Sequence, residues 1–243
     1  LLRLESTISK TSGVQREKSR EKLRLATKSL TNLDNQINDF LPQVGQNATD
    51  NNPSQTELLS LQQNLQYHLA RAYRNQANTY ADGTNDQIAS LQRAVTALNK
   101  PLTQLSEEDP LVTAIHLALI ACHRELKQFD LARIMAERLK LLALPARDMM
   151  KLRAETVRLA LAERDLETTL ELLNKPRESN RILVPEYDLA FLDAFIYFWD
   201  KATKEQNTNG AENYQQQAVL TVKHIEQTHG PYWGRVAELQ LLK

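Results

Sequence analysis

This chain has few of the residues that interrupt helices, staple loops or cross membranes. A single cysteine, Cys122, stands among 243 residues, so no internal disulfide can form and a thiolate metal cluster is excluded. No apolar run approaches the ~18 residues that a membrane span requires. Thirty basic and thirty acidic side chains leave no net charge, a poor basis for general nucleic-acid binding, which depends on neutralising phosphates. Aromatics make up only 6% of the chain. Glycines number six and prolines eight, and they fall almost entirely between long apolar-periodic segments. Gly13, Pro42, Gly45, Pro53, Gly83, Pro101, Pro110, Pro145, Pro176, Pro185, Gly210, Gly230 and Pro231 read as punctuation, with only Gly234 expected within a helix. Breakers confined to the gaps imply helices everywhere else.

The segment from Val14 to Leu41 is polar with a narrow apolar seam. Leu23, Leu30, Ile37 and Val44 recur every seven residues, and Ala26, Leu33 and Phe40 fill the alternate positions. This two-stripe heptad fits either a long helix packed on the rest of the chain or a coiled coil that pairs two chains through residues 23–44. Arg16, Lys18, Arg20, Lys22 and Arg24 alternate every second residue, a spacing that spreads charge around a helix instead of along one face. The polar stretch Pro42–Pro53 predicts a loop and a boundary, with an N-terminal segment 1–50 and a helical array 54–243. Asn47-Ala48-Thr49 has the form of a glycosylation acceptor, a pattern common by chance.

Beyond the loop, helical spacing is carried by Leu58, Leu61, Leu65, Leu69 and Ala72, then by Ile88, Leu91, Val95, Leu98 and Leu102. Ser106–Asp109 reads as a cap leading into Pro110. The next helix is apolar over a wide arc, from Val112, Ile115, Leu119, Cys122 and Leu126 on one stripe to Leu111, Ala114, Ala118 and Ala121 on another, so it is expected to be buried on more than one side. Further helices are predicted at Phe129–Leu142, Arg147–Glu163, Leu166–Asn174, Glu186–Lys204 and Ala211–Thr228, and a last one begins at Gly230-Pro231. About ten helices in five pairs result.

Leu69-Ala70-Arg71-Ala72-Tyr73, Ile88–Asn99 and the turn Lys127-Gln128-Phe129-Asp130-Leu131-Ala132, echoed at Arg164-Asp165-Leu166-Glu167, resemble the tetratricopeptide repeat family. The resemblance covers residues 58–174. It implies an all-α solenoid of antiparallel helix hairpins. The repeats are degenerate: residues are inserted around Ala81–Asp86, Gln87 and Ile120 stand where small residues belong, His123 where an aromatic does, and Thr169 replaces alanine. The resemblance implies a groove that binds a peptide or helix of another protein, lined by Asn64, Tyr67, Arg71, Arg74 and Asn75, by Leu117, Ala121, Arg124 and Glu125, and by Lys151, Ala154 and Arg158. Its cations, Arg71, Arg74, Arg124, Lys151 and Arg158, would suit an acidic peptide or a C-terminal carboxylate, or they are ordinary exposed basic residues.

Six of the aromatics lie in Tyr187–Trp199; Phe191, Phe195 and Phe198 share one face, and Tyr197 and Trp199 need either a covering helix or a partner. His116 and His123 are spaced for one side of a helix but not for a metal pair, and His224 and His229 straddle a helix end. The sequence has no Gly-rich phosphate loop, His-Glu metal motif or nucleophile elbow, and Glu107-Glu108 suits a helix N-terminus. No catalytic, cofactor-binding or metal residue is therefore assigned, no enzymatic activity is expected, and the reading is a non-catalytic interaction scaffold. Two alternatives stay open, an oligomerisation module joined through the N-terminal heptads and a regulatory helical domain of a larger enzyme. The opening Leu-Leu-Arg-Leu suggests a piece of a longer protein, so the lack of a signal peptide leaves the compartment open, with cytoplasm slightly favoured.

Overall fold

The computed structural model describes residues 13–44, 53–174 and 184–242. The glycosylation pattern at Asn47 and the connector around Pro176 lie outside the described residues. Among the described residues the chain is all helical, with ten α-helices, one short 3-10 turn and no strand. The helices are α1 (Gly13–Phe40), α2 (Gln55–Ala77), α3 (Asn85–Leu102), α4 (Pro110–Glu125), α5 (Phe129–Lys140), α6 (Ala146–Glu163), α7 (Leu166–Asn174), α8 (Pro185–Lys204), α9 (Thr208–His229) and α10 (Pro231–Leu241). They form two compact units, Leu1–Leu126 and Lys127–Lys243.

Most breakers mark helix ends, as the sequence predicts. Pro110, Pro185 and Pro231 occupy first-turn positions, where a proline's missing N–H costs nothing. Among the described residues, two breakers do not. Pro101 lies inside the last turn of α3, where the lost donor disturbs only the helix end. Gly210 lies in the first turn of α9, its N–H donating to the capping Asn207 Oδ1 at 3.0 Å. Gly234 is helical, as expected, and is buried. A Cβ there would stand 2.7 Å from the Cβ of Glu226, so glycine is what lets α10 lie close to α9.

In the first unit α1 packs on α2, α2 on α3 and α4, and α3 on α4. Leu23 and Ile37 of the heptad are buried in this contact, alongside the polar Ser19, Thr27 and Asp34. The seam stops there. Pro42 sits in the 3-10 turn Leu41–Gln43, and Val44 is extended, so the fourth heptad position lies off the helix. Arg20 fastens α1 across the unit: it donates to Glu17 Oε2 at 2.6 Å and to the carbonyl of Thr79 at 3.0 Å, and its guanidinium lies 4.5 Å above the Tyr80 ring.

Capping sets where the other helices begin. Ser54 and Glu57 form a reciprocal box at the start of α2: the Glu57 N–H donates to Ser54 Oγ, and the Ser54 N–H donates to Glu57 Oε2 at 2.8 Å. The Ser54 N–H, and after it the Ser54 hydroxyl at 2.8 Å, donate to the Glu57 carboxylate and hold it below its ordinary range. At α4 the cap is Asp109 itself, accepting from Leu111 N–H at 2.8 Å; Ser106 supplies only a backbone turn acceptor. The residues inserted between α2 and α3 are held by Gln87, whose amide takes the Gly83 N–H at 2.6 Å and donates to Asp82 at 3.2 Å. This clamp is why a long side chain occupies a position where hairpin packing would favour a small one.

In the second unit α5 packs on α6, α6 on α7 and α8, α8 on α9 and α10, and α9 on α10. The core joins Ala154 and Val157 of α6 to Tyr187, Ala190, Phe191 and Ala194 of α8. Phe198 stacks on Tyr214 of α9 with ring centroids 5.3 Å apart. Three helices therefore enclose α8, which explains why its aromatics cannot all share one face; Tyr197 and Trp199 are half-buried.

Two turns of this unit share one geometry. Arg164 and Gln206 take left-handed φ values of 62° and 58°. Around Arg164, the Arg164 and Asp165 N–H groups bond back to the carbonyls of Leu161 and Ala160. Around Gln206, the N–H groups of Gln206 and Asn207 bond to Thr203 and Ala202 in the same pattern. This is a Schellman closure. In both turns the next residue then caps the following helix, Asp165 through Thr168 N–H and Asn207 through Gly210 N–H. Lys127, after α4, has the same left-handed backbone with φ 60°.

Candidate interaction surface

The seven predicted groove residues divide between the two units. In the first, Asn64, Tyr67, Arg71 and Arg74 belong to α2, whose buried arc is set by Leu58, Leu65, Leu69 and Ala72. Asn64 and Arg71 face outward, while Tyr67 and Arg74 are half-buried. Asn64 Nδ2 donates to the carbonyl of Ser60 at 2.9 Å. Tyr67 is half-buried, with its ring edge-on to His68 at 5.6 Å and the Arg71 guanidinium 5.8 Å from its centroid. Burial first, and the Arg71 charge second, push the His68 imidazole below its ordinary value. Arg71 and His68 are both exposed, so α2 presents a guanidinium and an imidazole beside one phenol ring.

Arg74 and Arg124 are differently placed. Glu125 of α4 takes Arg74 Nη2 at 2.6 Å and Arg74 Nε at 3.2 Å, and lies 3.4 Å from Arg124 Nη2. Both guanidiniums are at least two-thirds buried and share one carboxylate. In the second unit Lys151 Nζ pairs with Asp148 at 2.8 Å. Arg158 donates to Glu155 at 2.7 Å, to Asp193 Oδ2 at 3.3 Å and to the carbonyl of Glu186 at 3.2 Å. Of the five cations expected to make a basic ribbon, four are therefore engaged by acids within the chain. Arg71 is the one whose charge is turned outward. Leu117, Ala121 and Ala154, also expected along the groove, are buried packing residues.

Part of this pairing was readable and part was not. Asp148–Lys151 and Glu155–Arg158 are three apart on one helix, a spacing that brings side chains together. Asp193, on a different helix, gives no such signal. Its second oxygen accepts from Gln240 of α10, so one carboxylate joins α6, α8 and α10.

A second polar cluster was not foreseen. Asp188, buried near the start of α8, accepts from His229 Nε2 at 2.7 Å, and His224 Nε2 lies 3.9 Å away. The sequence marked these histidines only as residues near a helix end. His123 is buried in α4, and His116 Nδ1 lies 2.9 Å from the carbonyl of Val112 on its own helix. Cys122 is buried, as its apolar stripe predicts. Among the described residues no group of three or more His, Cys, Asp or Glu is placed to hold a metal ion, and no helix is long and apolar enough to cross a membrane.

In comparisons with known proteins, the chain matches no family model, no curated protein and no solved structure.

Proposed function

We propose that this chain is a non-catalytic protein-interaction scaffold built as a tetratricopeptide-like α-solenoid, and that it binds an acidic segment of a partner polypeptide on the outward face of α2. The observation that carries this reading is the repeated turn. Arg164-Asp165 and Gln206-Asn207 close one helix and cap the next in the same way, and the helices on either side recur as neighbours, α6 beside α8 and α8 beside α10. The same relation joins α2 and α4 in the first unit. Recurring hairpins with next-but-one helices side by side are what a stack of repeats requires. The second turn supports continuing the repeat past Pro185, beyond the residues 58–174 that the resemblance covers.

The choice of α2 rests on Arg71. A guanidinium held over a phenol ring keeps its donors directed outward and loses little freedom on meeting a carboxylate. Such a site suits an acidic side chain or a C-terminal carboxylate. The test is selection of peptides from a random library on the immobilised chain. Enriched peptides should be acidic and lose at least about tenfold in affinity on Arg71→Glu, roughly one charged hydrogen-bond pair. Arg93→Glu, an exposed change on α3, should leave them unaffected. Peptides indifferent to Arg71→Glu would sink the reading.

A further inference from the structure

α1 satisfies only part of its apolar surface within the chain. Leu23 is fully buried against the first unit and Ile37 nearly so. Leu25 is 59% exposed, and Leu33 and Phe40 are each 40% exposed. On a 3.6-residue helix these three lie within about 80° of one another, so they form one stripe beside the buried seam. The heptad in the sequence is therefore two surfaces. One is spent on α2, and the other is left outside.

Charge along α1 is strongly uneven. Residues 16–28 carry Arg16, Lys18, Arg20, Lys22, Arg24 and Lys28 against Glu17 and Glu21. Residues 29–40 carry Asp34 and Asp39 and no lysine or arginine. Arg20 and Asp34 are engaged inside the unit, Arg20 by Glu17 and Thr79, and Asp34 by Gln62 at 3.2 Å. The asymmetry survives their removal: Lys18 and Lys28 at one end and Asp39 at the other are exposed. A helix that is basic in its first half and acidic in its second is complementary to itself when turned end for end. Parallel pairing would instead set like charges side by side.

We propose that two copies of this chain pair through α1, antiparallel and two-fold symmetric, with Leu25, Leu33 and Phe40 at the contact. The symmetry needs only one surface, used by both copies. With Leu25 of one copy opposite Phe40 of the other, the antiparallel direction brings the exposed Lys28 of each α1 within about one turn of the exposed Asp39 of its mate. The contact uses the outer stripe, so α1 stays on α2 and no part of the fold is exchanged. Peptide binding at Arg71 is a separate property that this pairing neither requires nor excludes.

Sedimentation equilibrium of the full chain at tens of micromolar should give twice the 27.8 kDa chain mass. Leu25→Glu with Phe40→Glu should yield a monomer with unchanged helical circular dichroism, because both positions face outward. Direction is read by disulfide trapping in a Cys122→Ser background. A Leu25→Cys chain mixed with a Phe40→Cys chain should cross-link, and neither should cross-link efficiently with itself. A monomer at 100 micromolar, a dimer that survives the double glutamate variant, or faster self-linking of Leu25→Cys chains would each overturn the proposal.

Discussion

Arg74 of α2 and Glu125 of α4 meet with Nη2 2.6 Å from Oε1, and the same carboxylate lies 3.4 Å from Arg124. One acid thus engages two of the cations that the sequence marks for a partner. Glu125→Gln should weaken the hold on both guanidiniums. Stability should fall by about 1–2 kcal/mol, because charged hydrogen bonds are lost in a mostly buried place. Affinity for an acidic peptide should rise, because the local charge becomes more positive. Chemical denaturation and a peptide titration read the two effects separately.

The pair formed by Asp188 and His229 is enclosed on both sides, each side chain being nearly inaccessible to water. Removing the His229 imidazole takes the 2.7 Å donor from a buried carboxylate. His229→Ala should cost about 3 kcal/mol, and Asp188→Asn less, because an amide can still meet the imidazole. A urea midpoint unchanged in His229→Ala would show that the pair does not hold α8 to α9.

His68 sets a pH dependence. Its folded value is depressed, by burial and then by Arg71, so the folded chain takes up that proton less readily than the unfolded chain. The associated stability is fully present above the ordinary value of 6.5 and is lost as pH falls through the folded value. Denaturation midpoints measured from pH 7.5 down to 5.5 should decline, and His68→Gln should flatten the decline. A carboxylate bound beside Arg71 would favour the charged imidazole, so binding of an acidic peptide should strengthen over the same fall in pH.

The left-handed turns predict stabilising changes. A side chain at φ near +60° strains the backbone by about 1–2 kcal/mol, and glycine does not pay it, although glycine loses more freedom on folding. Arg164→Gly and Gln206→Gly should each raise stability, by up to about 1 kcal/mol, and Arg164→Val should lower it. Thermal unfolding checks the sign of each.

On α1, two leucines two residues apart should respond in opposite ways. Leu23→Ala should cost about 2–4 kcal/mol, since the side chain is fully buried. Leu25→Ala should leave the stability of the isolated chain nearly unchanged, since the side chain is mostly exposed. Equal losses at the two positions would place the wrong face of α1 against α2.

The helices were legible because apolar periodicity and breakers report local geometry, which is encoded within a few residues. Limits came where a residue's role depends on something far along the chain. Asp193, which takes Arg158, lies 35 positions away, and no local spacing announces it. The turn at Gln206 went unseen for another reason. Its signal is a backbone conformation and a capping Asn207, with neither the Phe129-Asp130 pair of the first turn nor the Asp165 of the second. The heptad of α1 was legible as a pattern, but which of its two stripes meets α2 depends on the polar partners Ser19, Thr27 and Asp34, which periodicity counts as solvent-facing.

The carboxylate of Asp193 holds Arg158 of α6 with one oxygen and Gln240 of α10 with the other. Mechanically it is a rivet through three rods. A push on the last helix of the second unit reaches α6 without passing through the loops between them.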